Sequence, residues 1–162
     1  MEQIISDAVY SVLRRIRNKR FFENERGFQG EFTTILATVL GINLPNNTII
    51  EEEHQKILRI HGLKLRPDIV IHIPYHEITN PDRKSGNFIV FALKKRSSEK
   101  IAIEEFEKLD KMIKILNYKL GVYINIDSEK TFYENCVVDS KDKIMCFAVK
   151  GDDNENIVIR KP

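Results

Sequence analysis

Three segments of the chain repeat their hydrophobic residues at the three- and four-residue spacing of an amphipathic helix. They span residues 2–17, about 28–40 and about 102–117. The third has the clearest period, and Ser97 or Ser98 precedes it as a candidate N-cap. The pattern predicts three helices, each with one face packed against a core.

Two runs rich in β-branched and aromatic residues, 65–73 and 88–96, flank a loop rich in Pro, Asn, Ser and Gly, residues 74–87. They predict two paired strands joined by a long loop. Because side chains alternate between the two faces of a strand, Asp68 and Lys94 each lie opposite the main apolar set of their own strand. If both apolar sets face one core, the two charged residues emerge on the same side of the sheet.

A nearly continuous hydrophobic strand, residues 120–126, follows the third helix. Strand, helix and strand at this spacing predict a right-handed crossover, with the last strand parallel to the one before the helix. Residues 48–60 predict a less regular strand or strand pair, and 143–150 with 156–160 predict a terminal hairpin. The chain, residues 1–162, is therefore predicted to form one α/β domain, a mixed sheet flanked by helices.

The composition of the chain excludes few classes of protein. Lys and Arg together number 26 and Asp and Glu 24, so the net charge by itself does not indicate a polyanion partner. Cys136 and Cys146 lack the spacing of a metal site, which favours a reducing compartment. The chain begins without the basic-then-apolar order of a signal peptide, and its longest apolar stretch, residues 35–42, is too short to span a bilayer. These features predict a soluble, cytoplasmic protein with no membrane partner.

Pro67 and Asp68 at the start of one strand, with Lys94 in the strand predicted to pair with it, resemble the signature of the PD-(D/E)XK nucleases, the restriction-endonuclease-like superfamily. The order of helix, strand meander, helix and strand over about residues 28–126 is similar to the core of that superfamily. The resemblance implies a restriction-endonuclease-like core. It also implies metal-dependent hydrolysis of phosphodiester bonds, with DNA more favoured than RNA, Mg²⁺ or Mn²⁺ as cofactor, and a homodimer as one expected assembly.

The resemblance also implies roles for individual residues. Asp68 would be the bridging metal ligand, Leu93 a main-chain carbonyl ligand, and Lys94 the residue that orients or activates water. An early helix often supplies a glutamate in this superfamily, and Glu31, within Gly-Phe-Gln-Gly-Glu-Phe, is predicted to be a further metal ligand. The alternative for Glu31 is a surface carboxylate stabilised near a helix N-terminus.

Basic residues close to this motif are candidate nucleic-acid contacts. Lys95 and Arg96 follow Lys94 directly, and Arg83 and Lys84 lie in the long loop. The alternatives are a solvated strand end for the first pair and an insertion without a role in binding for the second.

Ala92 stands where the motif has its second acidic residue, two positions before Lys94. One interpretation is an active nuclease in which a ligand was deliberately replaced; another is a natural pseudo-nuclease that binds nucleic acid or a protein. A third is migration of the carboxylate to another element, with Glu104 or Glu105 as candidates. The sequence favours the first interpretation, in which the active form of the nuclease has an acidic residue at position 92 and Ala92 impairs the site. In that case Ala92→Glu should restore activity. If instead the chain already cuts with metal, the migrated carboxylate explains it better.

Overall fold

The computed structural model describes residues 2–41, 44–52, 64–78, 80, 82 and 84–162. Within these ranges, helices pack on both faces of a six-stranded sheet. The helices are α1 (Glu2–Arg15), α2 (Glu25–Leu40) and α3 (Glu99–Leu116), with short 3₁₀ turns at Lys19–Glu23, Tyr133–Asn135 and Lys141–Lys143. The strands are β1 (Ile49–Glu52), β2 (Ile69–His72), β3 (Asn87–Lys95), β4 (Leu120–Ile126), β5 (Ile144–Lys150) and β6 (Ile157–Lys161).

The strands lie in the sheet in their order along the chain, from β1 to β6. β1, β2 and β3 form an antiparallel meander, β4 and β5 continue parallel to β3, and β6 is antiparallel to β5. The predicted crossover through α3 and the predicted terminal hairpin are therefore confirmed. Of the strand or strand pair predicted over residues 48–60, β1 is present, and residues 53–60 lie outside the described part of the chain.

The sheet separates two hydrophobic clusters, and β2 and β3 contribute alternate residues to each. Ile69, Ile71, Phe91 and Leu93 pack on the side of α1 and α2. On the other side, the cluster beneath α3 contains Val70, Val90, Ala92, Phe106 and Leu109. This alternation confirms the predicted faces, and it places Asp68 and Lys94 on the same side of the sheet as α3.

Helix α2 begins earlier than its hydrophobic period predicts. Asn24 is its N-cap, and the side-chain oxygen of Asn24 accepts a hydrogen bond of 2.6 Å from the main-chain N–H of Gly27. The helix thus contains an extra first turn that carries Glu25. Because residues four apart lie on one face of a helix, Glu25 and Gln29 share a face, whereas Glu31 lies about 200° around the axis from Gln29.

Asn156 joins the terminal hairpin to the end of α1. Its buried side-chain amide donates hydrogen bonds to the main-chain carbonyls of Leu13 (2.8 Å) and Ile16 (2.6 Å). We expect Asn156→Ala to lower the free energy of unfolding by about 1–3 kcal/mol, because two carbonyls at a helix end lose their donor. Urea denaturation measures this loss. The matched control is Asn154→Ala, an exposed side chain of the same connection, which should change stability by about 0.5 kcal/mol or less.

Both cysteines, Cys136 and Cys146, are buried with free thiols, as predicted. Burial raises the pKa of both thiols, so each packs as a small hydrophobic side chain. No helix in the described ranges combines the length and the apolar character that crossing a bilayer requires.

Candidate active site

Asp68 and Lys94 meet where β2 begins and β3 ends. Asp68 Oδ2 lies 3.6 Å from Lys94 Nζ and accepts a hydrogen bond of 2.6 Å from the main-chain N–H of Leu93. The main-chain carbonyl of Asp68 accepts a further bond of 3.0 Å from Gln29 Nε2 on α2. The two residues of the sequence motif are therefore held together by both the sheet and a helix.

The ammonium of Lys94 is surrounded by oxygen atoms. Lys94 Nζ donates to the main-chain carbonyl of Leu93 at 2.7 Å and to Glu25 Oε1 at 3.3 Å. The other carboxylate oxygen of Glu25 accepts a bond of 3.1 Å from the main-chain N–H of Lys95. Burial alone would lower the pKa of Lys94, but the negative charges of Asp68, Glu105 and Glu25 outweigh burial and raise it. Lys94 is therefore protonated at neutral pH.

The glutamate that α2 brings to this site is Glu25 rather than Glu31. Glu31 is half-buried on a different face of α2 and does not line the cavity beside Asp68 and Lys94. The sequence signal for Glu25 was the N-cap Asn24 with an acidic residue directly after it, a pattern typical of a helix start.

A second carboxylate reaches the site from α3. Glu105 is only 7% exposed and lines a cavity of about 180 Å³ together with Asp68, Ala92 and Lys94. Its neighbour Glu104 is exposed to solvent. In the sequence, position 105 falls three residues after the buried Ala102 and four before Leu109, which places it on the sheet-facing side of α3. The small side chain of Ala92 leaves the cavity open beneath Glu105.

The cavity is lined by two carboxylates, Asp68 and Glu105, and by the cationic side chains of Arg66, Lys94 and Lys108. Burial raises the pKa of Asp68, although the Lys94 ammonium and the Leu93 N–H act in the opposite direction, and the charges of Glu25 and Glu105 raise it further. A desolvated carboxylate with like charges nearby is stabilised by an added cation. Asp68 and Glu105 are hard oxygen donors that suit Mg²⁺ or Mn²⁺.

No three His, Cys, Asp or Glu side chains in the described ranges are arranged to hold a metal ion by themselves. This does not conflict with a magnesium-type site, because Mg²⁺ in phosphate chemistry is commonly held by one or two carboxylates, waters and the phosphate of the substrate. The two carboxylates that line the cavity, Asp68 and Glu105, fit such an ion. The main-chain carbonyl of Leu93 accepts a hydrogen bond from Lys94 Nζ, and Leu93 does not contribute to the lining.

Of the predicted nucleic-acid contacts, Lys95 and Arg96 lie at the end of β3 that carries the site, whereas Lys84 precedes the start of the strand. Lys95 Nζ donates to the main-chain carbonyl of Glu23 at 2.6 Å, and the guanidinium of Arg96 pairs with Asp127 at 2.7 Å. Lys84 is exposed in the loop before β3. Arg83 lies outside the described residues.

No protein-family model matches this chain, and no curated protein matches it. Among solved structures, the chain is similar to NucC of P. aeruginosa ATCC27853 in its cAAA-bound form, with a TM-score of 0.52 and 10% sequence identity. The match covers 99% of this chain and 84% of that one. At this identity the similarity shows the fold alone. The protein therefore has the α/β restriction-endonuclease-like fold that the sequence predicted.

Proposed function

We propose that this protein is a metal-dependent nuclease that hydrolyses phosphodiester bonds, with DNA favoured over RNA as substrate. The observation that carries the proposal is the cavity that Asp68, Glu105 and Lys94 share where β2 begins and β3 ends. A half-buried cation beside two carboxylates loses part of its hydration, and such clusters are typical of functional sites.

In this proposal Asp68 and Glu105 hold Mg²⁺ or Mn²⁺, and the main-chain carbonyl of Leu93 would serve as a third donor once Lys94 Nζ, which donates to it at 2.7 Å, moves away. When bound, the ion neutralises charge on the phosphate and lowers the pKa of a water molecule at the site. Asp68 is fixed for this task because its Oδ2 is already anchored to the N–H of Leu93. Glu105 approaches from α3, a helix that packs against the sheet.

Lys94 serves as a hydrogen-bond donor that orients the attacking water or stabilises the developing negative charge. In the metal-free protein the charges of Asp68, Glu105 and Glu25 raise the pKa of Lys94, and its ammonium already donates to Leu93 and Glu25, which suits a donor role. Glu25 positions Lys94 through the 3.3 Å contact between its carboxylate and the ammonium.

The proposal assigns to Glu105 the task of the carboxylate that is missing at position 92. Of the three interpretations of Ala92, migration of the carboxylate is the one supported by the burial of Glu105 and by its position in the wall of the cavity. The chain would then be active as it stands. The sequence-based prediction of a site impaired at position 92 gives the opposite expectation, so the activity of the unmodified chain separates them.

The test is cleavage of linear DNA, circular DNA and RNA by the unmodified chain with Mg²⁺, with Mn²⁺ and with EDTA. We expect cleavage of DNA with either metal and none with EDTA. Asp68→Asn, which keeps the size of the side chain, should reduce the rate by about 100-fold or more, because the site loses a charged ligand. A folded chain that leaves every substrate intact would contradict the proposal and favour a pseudo-nuclease.

A further inference from the structure

Lys108 lies beside the cavity and is paired with Glu105. Its ammonium is 2.7 Å from Glu105 Oε1, one turn along the same helix, and it contributes to the lining of the cavity. The Lys108 side chain is 44% exposed, whereas that of Glu105 is 9% exposed. A partly solvated cation therefore neutralises the buried carboxylate from the solvent side.

This pairing competes with the binding of a metal ion. The Glu105 carboxylate is the group that both cations would use, and two cations at contact distance from one carboxylate repel each other strongly where solvent screening is reduced. An ion bound at Asp68 and Glu105 would weaken the hold of Glu105 on Lys108. Glu105 is the partner that the described structure gives to Lys108, and the long exposed side chain can move away at little cost.

Once released, Lys108 still lies at the rim of the cavity, on the α3 wall and across from Lys94 on β3. A nucleic acid with its scissile phosphate in the cavity would pass this rim. The neighbouring lysines of α3 differ in this respect. The ammonium of Lys114 forms ion pairs with Asp110 at 2.8 Å and with Asp139 at 2.6 Å. Lys111 is exposed but does not line the cavity.

We propose that Lys108 has two alternative partners: the Glu105 carboxylate in the metal-free protein, and a backbone phosphate of the nucleic acid in the metal-loaded protein. Lys108 thus opposes metal binding when substrate is absent and contributes to substrate binding when metal is present. This inference rests on the proposed metal-dependent nuclease function of the same cavity.

The variant that tests the inference is Lys108→Met, which keeps a long side chain but removes its charge. Its matched control is Lys111→Met, the same substitution one turn further along α3. Calorimetric titration with Mn²⁺, without nucleic acid, should show that Lys108→Met binds the ion about threefold or more tightly than the unmodified chain, because a competing cation is gone. Lys111→Met should bind Mn²⁺ as the unmodified chain does.

The second measurement is the salt dependence of binding to a DNA duplex, by fluorescence anisotropy, in Ca²⁺ and in EDTA. In Ca²⁺, which also takes oxygen ligands, Lys108→Met should bind the duplex more weakly, and the slope of log K against log salt should be smaller by about one phosphate contact. In EDTA its slope should equal that of the unmodified chain, because Lys108 is then engaged with Glu105. A merely structural role for Lys108 would not produce a difference that depends on metal.

Unchanged Mn²⁺ affinity and an unchanged slope in Ca²⁺ for Lys108→Met would overturn the inference, as would the same changes in Lys111→Met. Asp68→Asn is titrated with Mn²⁺ in parallel. If it binds the ion as well as the unmodified chain does, the metal does not lie in this cavity, and it is the proposed function that fails. Lys108→Gln provides a second neutral side chain and should reproduce the pattern of Lys108→Met.

Discussion

Glu105→Ala is expected to reduce metal-dependent cleavage of DNA by about 100-fold or more, equivalent to about 2.7 kcal/mol of transition-state stabilisation. The substitution removes one of the two carboxylates that line the cavity. Asp68 would then be the remaining carboxylate in the lining of the cavity, and one carboxylate neutralises a divalent ion less completely. The fold should be retained, because the neutral alanine replaces a buried charge on a helix.

The matched control for this prediction is Glu104→Ala, which removes the same charge from the adjacent residue of α3. Glu104 is exposed and lies outside the lining of the cavity. The cleavage rate of Glu104→Ala should therefore stay within about twofold of the rate of the unmodified chain, as expected for a surface substitution away from a site. Initial rates with Mg²⁺ and Mn²⁺ are compared at equal concentrations of folded protein. Equal losses in the two variants would assign the effect to net charge and contradict a specific role for Glu105.

Much of the fold could be predicted because its signals are local. The alternation of side chains along residues 65–73 and 88–96 placed Asp68 and Lys94 on one face, and the structure has them 3.6 Å apart. The regular period of α3 predicted both the helix and the parallel strand that follows it. These elements follow from the chain's own periodicity and do not depend on the details of tertiary packing.

The helix that supplies the glutamate beside Lys94 was less well predicted. The hydrophobic period of α2 begins at Phe28, but the cap at Asn24 extends the helix by three residues and adds Glu25. A helix that begins at Phe28 contains Glu31 but not Glu25, which is why the sequence pointed to Glu31. Because each residue turns the helix by about 100°, Glu31 lies on another face. A start signal based on capping chemistry would have been more informative here than hydrophobicity.

The position of Glu105 depends on how α3 lies across β3, and no local pattern contains that information. The sequence offered Glu104 and Glu105 together as candidates for a migrated carboxylate. The helical period favours Glu105, which lies between Ala102 and Leu109 of the apolar stripe, but its approach to Asp68 and Lys94 depends on tertiary packing. Ala92 and Glu105 are 13 positions apart in the chain, yet they line one cavity. Their common position in the cavity is therefore visible from the tertiary structure and not from the sequence.

Moving the carboxylate from position 105 to position 92 should restore the activity that Glu105→Ala loses. In the double variant Ala92→Glu, Glu105→Ala, we expect a rate within about 10-fold of the unmodified chain, compared with the loss of about 100-fold in Glu105→Ala alone. Residues 92 and 94 share a strand face, so a glutamate at 92 would enter the same cavity from the β3 wall. The number of carboxylates in the lining is then unchanged.

The single variant Ala92→Glu is not expected to be faster than the unmodified chain. It adds a further carboxylate beside Asp68 and Glu105 at a position only 5% exposed, and like charges in a desolvated site destabilise one another. Its stability should therefore be lower, and urea denaturation in EDTA checks this without relying on activity.

The most direct test of the central claim, that Glu105 supplies the carboxylate missing at position 92, is the rate of Mn²⁺-dependent DNA cleavage in a four-member cycle. Its members are the unmodified chain, Ala92→Glu, Glu105→Ala and the double variant. We expect an active unmodified chain, a loss of about 100-fold in Glu105→Ala and a double variant within about 10-fold of the unmodified chain, a strongly non-additive result. An inactive unmodified chain that gains activity in Ala92→Glu, with or without Glu105, would contradict the account and show that position 92 carries the essential carboxylate.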